Sequence, residues 1–134
     1  MRSEAIMNDN VGRRIRVVLV DDEVLARRFI KRLLGEDPEV EIVAECTNGR
    51  DAVALIREER PDLVFLDVQM PEMDGFEATA AIRQRERQTG RHLRIVAMTA
   101  HAMTGDRERC VAAGMDDYLS KPIDQRSLYE VVEK

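Results

Sequence analysis

A chain of 134 residues, 44% of them hydrophobic, has the size of one ordinary domain and enough apolar mass for one core. Its net charge of −5, with the basic residues scattered, argues against nucleic-acid binding by this segment, and no apolar run approaches membrane-spanning length. The N-terminus lacks an apolar signal region, and Glu4 and Asp9 argue against a transit peptide, so a cytoplasmic location is expected.

Met1–Arg14 is polar and aperiodic and is expected to be a flexible tail, leaving 15–134 as the domain. Ile15–Val20 is rich in β-branched residues and predicts a first strand, ending at Asp21-Asp22-Glu23. From Val24 to Leu34, Leu25, Phe29, Ile30 and Leu33 share one helical face, with Arg27, Arg28, Lys31 and Arg32 on or near the other. Gly35 and Pro38 stop that helix. Val40–Glu45 alternates, with Val40, Ile42 and Ala44 on one side and Glu41, Val43 and Glu45 on the other, as in a half-exposed edge strand.

Asn48 can cap a helix reaching about Arg60, where Pro61 forbids continuation. Leu63–Asp67 is four apolar residues ending in a carboxylate, bounded by Pro61 and by Pro71 and Gly75. It predicts a strand buried on both faces. Asp74 and Glu77 form a capping-box pattern opening a helix that carries Phe76, Ala80 and Ile82 and ends near Gly90. Leu93–Met98 predicts another strand, followed by Thr99-Ala100-His101. A short helix from about Thr104 to Ala113 stops at Gly114. Asp117–Ser120 is a short strand leading to Lys121-Pro122, and Asp124 caps a last helix with Leu128, Val131 and Val132 inward. Cys46 and Cys110 lack metal-type spacing and are expected to be two small buried thiols in a reducing compartment.

Five strands alternating with helices imply an α/β fold with a parallel sheet covered on both faces. The polar second strand and the short fifth are natural edges. That favours the flavodoxin-like (βα)5 order 2-1-3-4-5, whose switch point lies between the first and third strands. Ligands bind at the carboxyl ends of such strands. Those ends deliver Asp21 and Asp22, Asp67, Thr99 and Lys121 to one edge.

That inventory suits metal-assisted phosphoryl transfer. Mg²⁺ takes oxygen ligands and commonly only one or two carboxylates. Asp22 and Asp67 fit as ligands, with Asp21 placed to hold a metal-bound water. Asp67 is the attacking oxygen, Lys121 pairs with a phosphoryl oxygen and Thr99 donates to another. Two carboxylates about 5 Å apart repel by roughly 3 kcal/mol at an effective dielectric near 20, so a metal-free pocket should be strained.

These motifs resemble those of response-regulator receiver domains. The matching stretches are Val18-Leu19-Val20-Asp21-Asp22-Glu23, Asp67-Val68-Gln69-Met70-Pro71-Glu72-Met73-Asp74-Gly75, Met98-Thr99-Ala100 and Tyr118-Leu119-Ser120-Lys121-Pro122. The resemblance covers about Ile15 to Lys134. It implies that Asp67 takes phosphate from a phosphohistidine on a sensor kinase or histidine phosphotransfer protein. It implies a Mg²⁺ pocket of Asp21, Asp22 and Asp67, with the backbone carbonyl of Gln69 as a further ligand. Lys121 contacts the phosphate, and Thr99 and Tyr118 form a switch pair. Gln69 and His101 tune dephosphorylation, the Lys121–Pro122 bond is cis, and Leu25 is a candidate contact for the phosphodonor. Such a module catalyses only its own phosphorylation and dephosphorylation, and acts on a downstream output domain or protein as a monomer or weak dimer. The first half resembles receivers attached to DNA-binding outputs, the second half receivers of hybrid histidine kinases. The chain reads as a stand-alone regulator or an excised module.

Two rivals fit less well. A phosphohydrolase resembling haloacid dehalogenases wants a second Asp two residues after the nucleophile, where Gln69 stands. A flavin-binding flavodoxin-like protein needs a hydroxyl- and Gly-rich loop after the first strand, where Asp-Asp-Glu would repel phosphate.

Overall fold

The computed structural model describes residues 14–100 and 105–134. The expected tail up to residue 13, and His101, lie outside the described residues. The elements run β1 (Ile15–Val20), α1 (Val24–Gly35), β2 (Val40–Cys46), α2 (Gly49–Glu59), β3 (Leu63–Asp67), α3 (Gly75–Thr89), β4 (Arg94–Thr99), α4 (Asp106–Ala112), β5 (Asp117–Ser120) and α5 (Gln125–Glu133). The five strands pair in parallel in the order β2-β1-β3-β4-β5, as the polarity of the strands predicts.

Every residue of β3 is buried, because layers of side chains cover both faces of the sheet. On one face Val17, Leu19, Leu63, Phe65, Val96 and Met98 meet Ile30, Leu33 and Leu34 of α1 and Leu128, Val131 and Val132 of α5. On the other, Val18, Val20, Val64, Leu66, Ile95 and Ala97 meet Ala52 of α2, Ala78 and Ile82 of α3 and Cys110 of α4. The period-2 alternation of strand side chains divides one apolar run between two cores. Each fully buried Leu, Ile or Phe contributes about 1.5–3 kcal/mol.

The helix ends follow their local chemistry. Asn48 Oδ1 accepts from Asp51 N–H at 2.8 Å, and Asp124 Oδ1 from Ser127 N–H at 2.7 Å. Asp74 and Glu77 close a reciprocal capping box. Arg60 takes a left-handed φ of 48° ahead of Pro61, and Gly90 ends α3 at a φ of 75°.

Five expectations need correction. In α1, Leu25 is 76% exposed and Phe29 39%, while the inward face is Ile30, Leu33 and Leu34. In α3, Ala80 is exposed, and Ala78 and Thr79 are buried in its place. The alternation of β2 breaks at a bulge: Val17 pairs with Ile42 but Val18 with Ala44, so Val43 is an extra residue. Beyond it Val43, Ala44 and Cys46 all pack against the α2/α3 core. Cys110 is buried, but Cys46 is only half-buried. Arg14, assigned to the tail, is anchored, its guanidinium donating to the Pro38 and Val40 carbonyls.

Candidate functional site

The carboxyl edge of the sheet is laced together by backbone bonds before any side chain is considered. Asp21 N–H donates to Cys46 O, Val68 N–H to Met98 O, and Lys121 N–H to Thr99 O. Gly75 N–H returns to Val68 O, pinning the start of α3 against the end of β3. A Cβ on Gly75 would stand 2.5 Å from Asp67 O and 2.7 Å from Val68 Cα, so only glycine fits there. These ties bring the ends of the strands that carry Asp21, Asp67, Thr99 and Lys121 together at one edge of the sheet.

One carboxylate oxygen from each of Asp21, Asp22 and Asp67 lies within 4.8 Å of the others. Asp21 and Asp67 are buried, and Asp22 is exposed at the mouth. Asp21 Oδ1 accepts from Glu23 N–H at 2.9 Å, and Asp67 Oδ1 from Gln69 N–H at 3.1 Å. The remaining oxygens converge on Lys121. Its Nζ lies 2.8 Å from Asp21 Oδ2, 2.9 Å from Glu23 Oε1 and 3.4 Å from Asp67 Oδ2.

Asp21 Oδ2 is fully buried and, although paired with Lys121, makes no hydrogen bond of good geometry. A buried carboxylate oxygen left in this way, beside two further carboxylates, is the donor chemistry that a hard divalent cation satisfies. The residues therefore fit a metal.

The electrostatics follow from crowding. Burial raises the Asp67 carboxyl to about 7, helped by the Asp21 charge, while the Gln69 N–H and the Lys121 charge pull the other way. Burial also opposes the Lys121 charge, but its bonds to Asp21 and Glu23 and the charge of Asp67 outweigh this and hold the ammonium above its usual pKa.

The expected site residues divide into those at the pocket and those beside it. Asp21, Asp22, Asp67 and Lys121 come together, and Gln69 stands exposed at the rim. The Lys121–Pro122 peptide is cis. The Thr99 hydroxyl donates to Asp106 Oδ2 at 2.8 Å. Tyr118 is half-buried against the α2/α3 core, with Arg107 6.0 Å from its ring centroid. Two participants escaped the sequence reading. Glu23 is a partner of Lys121, and its place beside the two aspartates was the available signal. Asp106 is a partner of Thr99, but a separation of seven positions hides that relation in sequence.

The fold and the pocket can now be set beside known proteins. Residues 17–133 match the family described as the response regulator receiver domain. The chain belongs to this family. The receiver is 47% identical over 120 residues to the sensor protein GacS of Pseudomonas syringae pv. syringae, covering 89% of this chain and 13% of that one. Its fold superposes on the receiver domain of NarL from Mycobacterium tuberculosis with a TM-score of 0.81, at 30% identity over 90% of this chain and 94% of that one. It is also similar to the receiver domain of Ssk1 from Saccharomyces cerevisiae, solved with the histidine phosphotransfer protein Ypd1: TM-score 0.79, 29% identity, 90% and 87% coverage. This receiver thus spans about one-eighth of the sensor protein that it matches. It is a two-component receiver domain. Among the described residues no helix is long and apolar enough to cross a membrane.

Proposed function

We propose that this receiver accepts a phosphoryl group on Asp67 from a phosphohistidine, with Mg²⁺ held by Asp21, Asp22, Asp67 and the backbone carbonyl of Gln69. When bound, the cation neutralises negative charge on the transferring phosphoryl oxygens. The other work falls to the chain. An ionised Asp67 oxygen attacks phosphorus, the P–O bond forms as the P–N bond breaks, and the imidazole leaves with the electron pair. Lys121, already 3.4 Å from Asp67, stays charged and pairs with a phosphoryl oxygen. Water later cleaves the acyl phosphate to inorganic phosphate and restores the carboxylate, with Gln69 and His101 as the residues that tune this rate.

The convergence of Asp21, Asp22, Asp67 and Lys121 at the carboxyl edge is the single observation that carries the proposal. The donor is a sensor histidine kinase or a histidine phosphotransfer protein. Val24, Leu25 and Phe29, exposed at the start of α1 beside the pocket, offer it an apolar contact. The response is a population shift in which Thr99 and Tyr118 move inward and reshape the surface from β4 through α5 toward a downstream output.

Acetyl phosphate with Mg²⁺ should label the protein, and Asp67→Asn should abolish the label. Label persisting at full level in that variant would refute the assignment.

A further inference from the structure

Helix α4 touches both residues that the proposed switch requires. Its first residue, Asp106, accepts the Thr99 hydroxyl at 2.8 Å, and its second, Arg107, lies over Tyr118. Its fourth, Arg109, stacks 4.3 Å from the Phe76 ring centroid at the start of α3. Thr99 is 1% exposed and Asp106 half-buried, so this hydrogen bond is shielded from competing water.

A threonine hydroxyl carries one proton. Donated to Asp106, it is withheld from a phosphoryl oxygen on Asp67. We propose that Asp106 is a positioning residue: its carboxylate holds Thr99 in the unphosphorylated arrangement, and the switch turns only when a phosphoryl group outcompetes it. This rests on the proposed acceptor role of Asp67.

The chemistry gives the latch its strength and its consequence. A hydroxyl bound to a carboxylate is held roughly twice as strongly as one bound to a neutral oxygen. A phosphoryl oxygen, itself charged, is an acceptor of the same class, so the two compete on near-equal terms. When Thr99 leaves, Asp106 loses that partner, and the start of α4 loses a tie to the sheet. The same event that reports phosphorylation therefore loosens the helix whose face is to change. A ligand shifts such an equilibrium only by its differential contacts, so removing Asp106 should favour the switched state without any phosphate.

The test is a double-mutant cycle read by the affinity of beryllium fluoride, a phosphoryl mimic, in the presence of Mg²⁺. Asp106→Ala should tighten binding about tenfold or more, the size of one charge-assisted hydrogen bond. In a Thr99→Ala background the same change should have no effect, because the hydroxyl that Asp106 holds is already gone. Asp106→Asn keeps an acceptor oxygen of the same shape, so it should tighten binding less, and it serves also where the alanine variant folds poorly. In Mg²⁺-free protein, amide exchange across residues 107–112 should quicken in Asp106→Ala and in Thr99→Ala, with no further gain in the pair.

Unchanged or weaker binding in Asp106→Ala, or the same tightening with Thr99 absent, would overturn the latch alone. No binding of beryllium fluoride by the wild type would overturn the acceptor assignment, and the latch with it.

Discussion

Lys121 Nζ approaches Asp67 Oδ2 to 3.4 Å across 54 positions of sequence. A distance so near the outer limit of a hydrogen bond is a weak attachment. The same ammonium is held more closely by Asp21 at 2.8 Å and Glu23 at 2.9 Å. The pocket thus keeps its cation beside the proposed acceptor without committing it there.

Removing Lys121 should expose that arrangement. In Lys121→Ala, Asp21 and Asp67 stay buried with no cation, and breaking a buried pair from one side costs about 3 kcal/mol or more. Protonation of Asp67 relieves part of this. A divalent cation relieves more, so Mg²⁺ should raise the melting temperature of the variant by more than that of the wild type. Equal Mg²⁺ responses in parallel thermal melts would show that Lys121 does not offset the acidic cluster.

The metal response itself is measurable in the wild type. At tenfold excess over its dissociation constant, Mg²⁺ should add about 1.4 kcal/mol, or about 5 °C in Tm. Asp22→Ala should stabilise the Mg²⁺-free protein by up to about 1 kcal/mol, a small effect because Asp22 is exposed and screened. The same substitution should largely abolish the Mg²⁺ shift. A melt indifferent to Mg²⁺ in the wild type would count against the cluster as a metal site.

Most of the fold was legible because its signals are local. Leu63–Asp67 is apolar without interruption because both faces of β3 are covered, and no other arrangement of five residues between Pro61 and Pro71 reads so plainly. Asn48, Asp74 and Asp124 announce their helices by hydrogen bonds that span three residues. What escaped depends on neighbours distant in sequence. Leu25 and Phe29 lie on the apolar arc of α1 but beyond the rim of the sheet that covers Ile30, Leu33 and Leu34. The bulge at Val43 is set by pairing with β1, which the alternation of β2 alone cannot reveal. Within the site, two partnerships were not legible: Glu23 with Lys121, far apart in sequence, and Asp106 with Thr99, where Asp106 enters from a helix.

The close approach at Gly75 gives a test of how the acceptor is held. In Gly75→Ala the new methyl meets the Asp67 carbonyl and the Val68 backbone, neither of which can swing aside as a side chain would. The expected cost is about 2–3 kcal/mol, with a fall in labelling by acetyl phosphate because the displaced backbone is that of the acceptor. Gly90→Ala is the control. Its φ of 75° strains an alanine by about 1 kcal/mol, but nothing lies within 4 Å of the added carbon. Urea melts should show both losses, and labelling should fall only in the first.

Stability should depend on pH through Asp67 in a direction opposite to most carboxylates. Its folded pKa, raised by burial to about 7, stands above the ordinary 3.8. Between those values the Mg²⁺-free folded protein holds a proton that the unfolded chain has released. Stability must then fall as pH rises across that interval and level off above it. Asp116 and Asp124 carry lowered pKa values, Asp116 despite its burial because Ile95 N–H, His92 and Arg83 face it, and Asp124 chiefly through Ser127 N–H. Their contributions, and that of Glu45, lowered chiefly by its bond to the Lys31 ammonium, have the opposite sign and are largely complete by about pH 5, so between 5 and 7 the Asp67 contribution dominates among these carboxylates. The loss across it should be on the order of a few kcal/mol. Urea melts in EDTA at pH 5, 6 and 7 should show that decline in the wild type and a flat profile in Asp67→Asn. Saturating Mg²⁺ should shrink the decline, because the cation binds the ionised carboxylate and its stabilisation grows as the proton leaves. An unaltered slope in Asp67→Asn would place the proton on another group and remove the electrostatic ground for treating Asp67 as the residue that the metal and the phosphoryl group compete to charge.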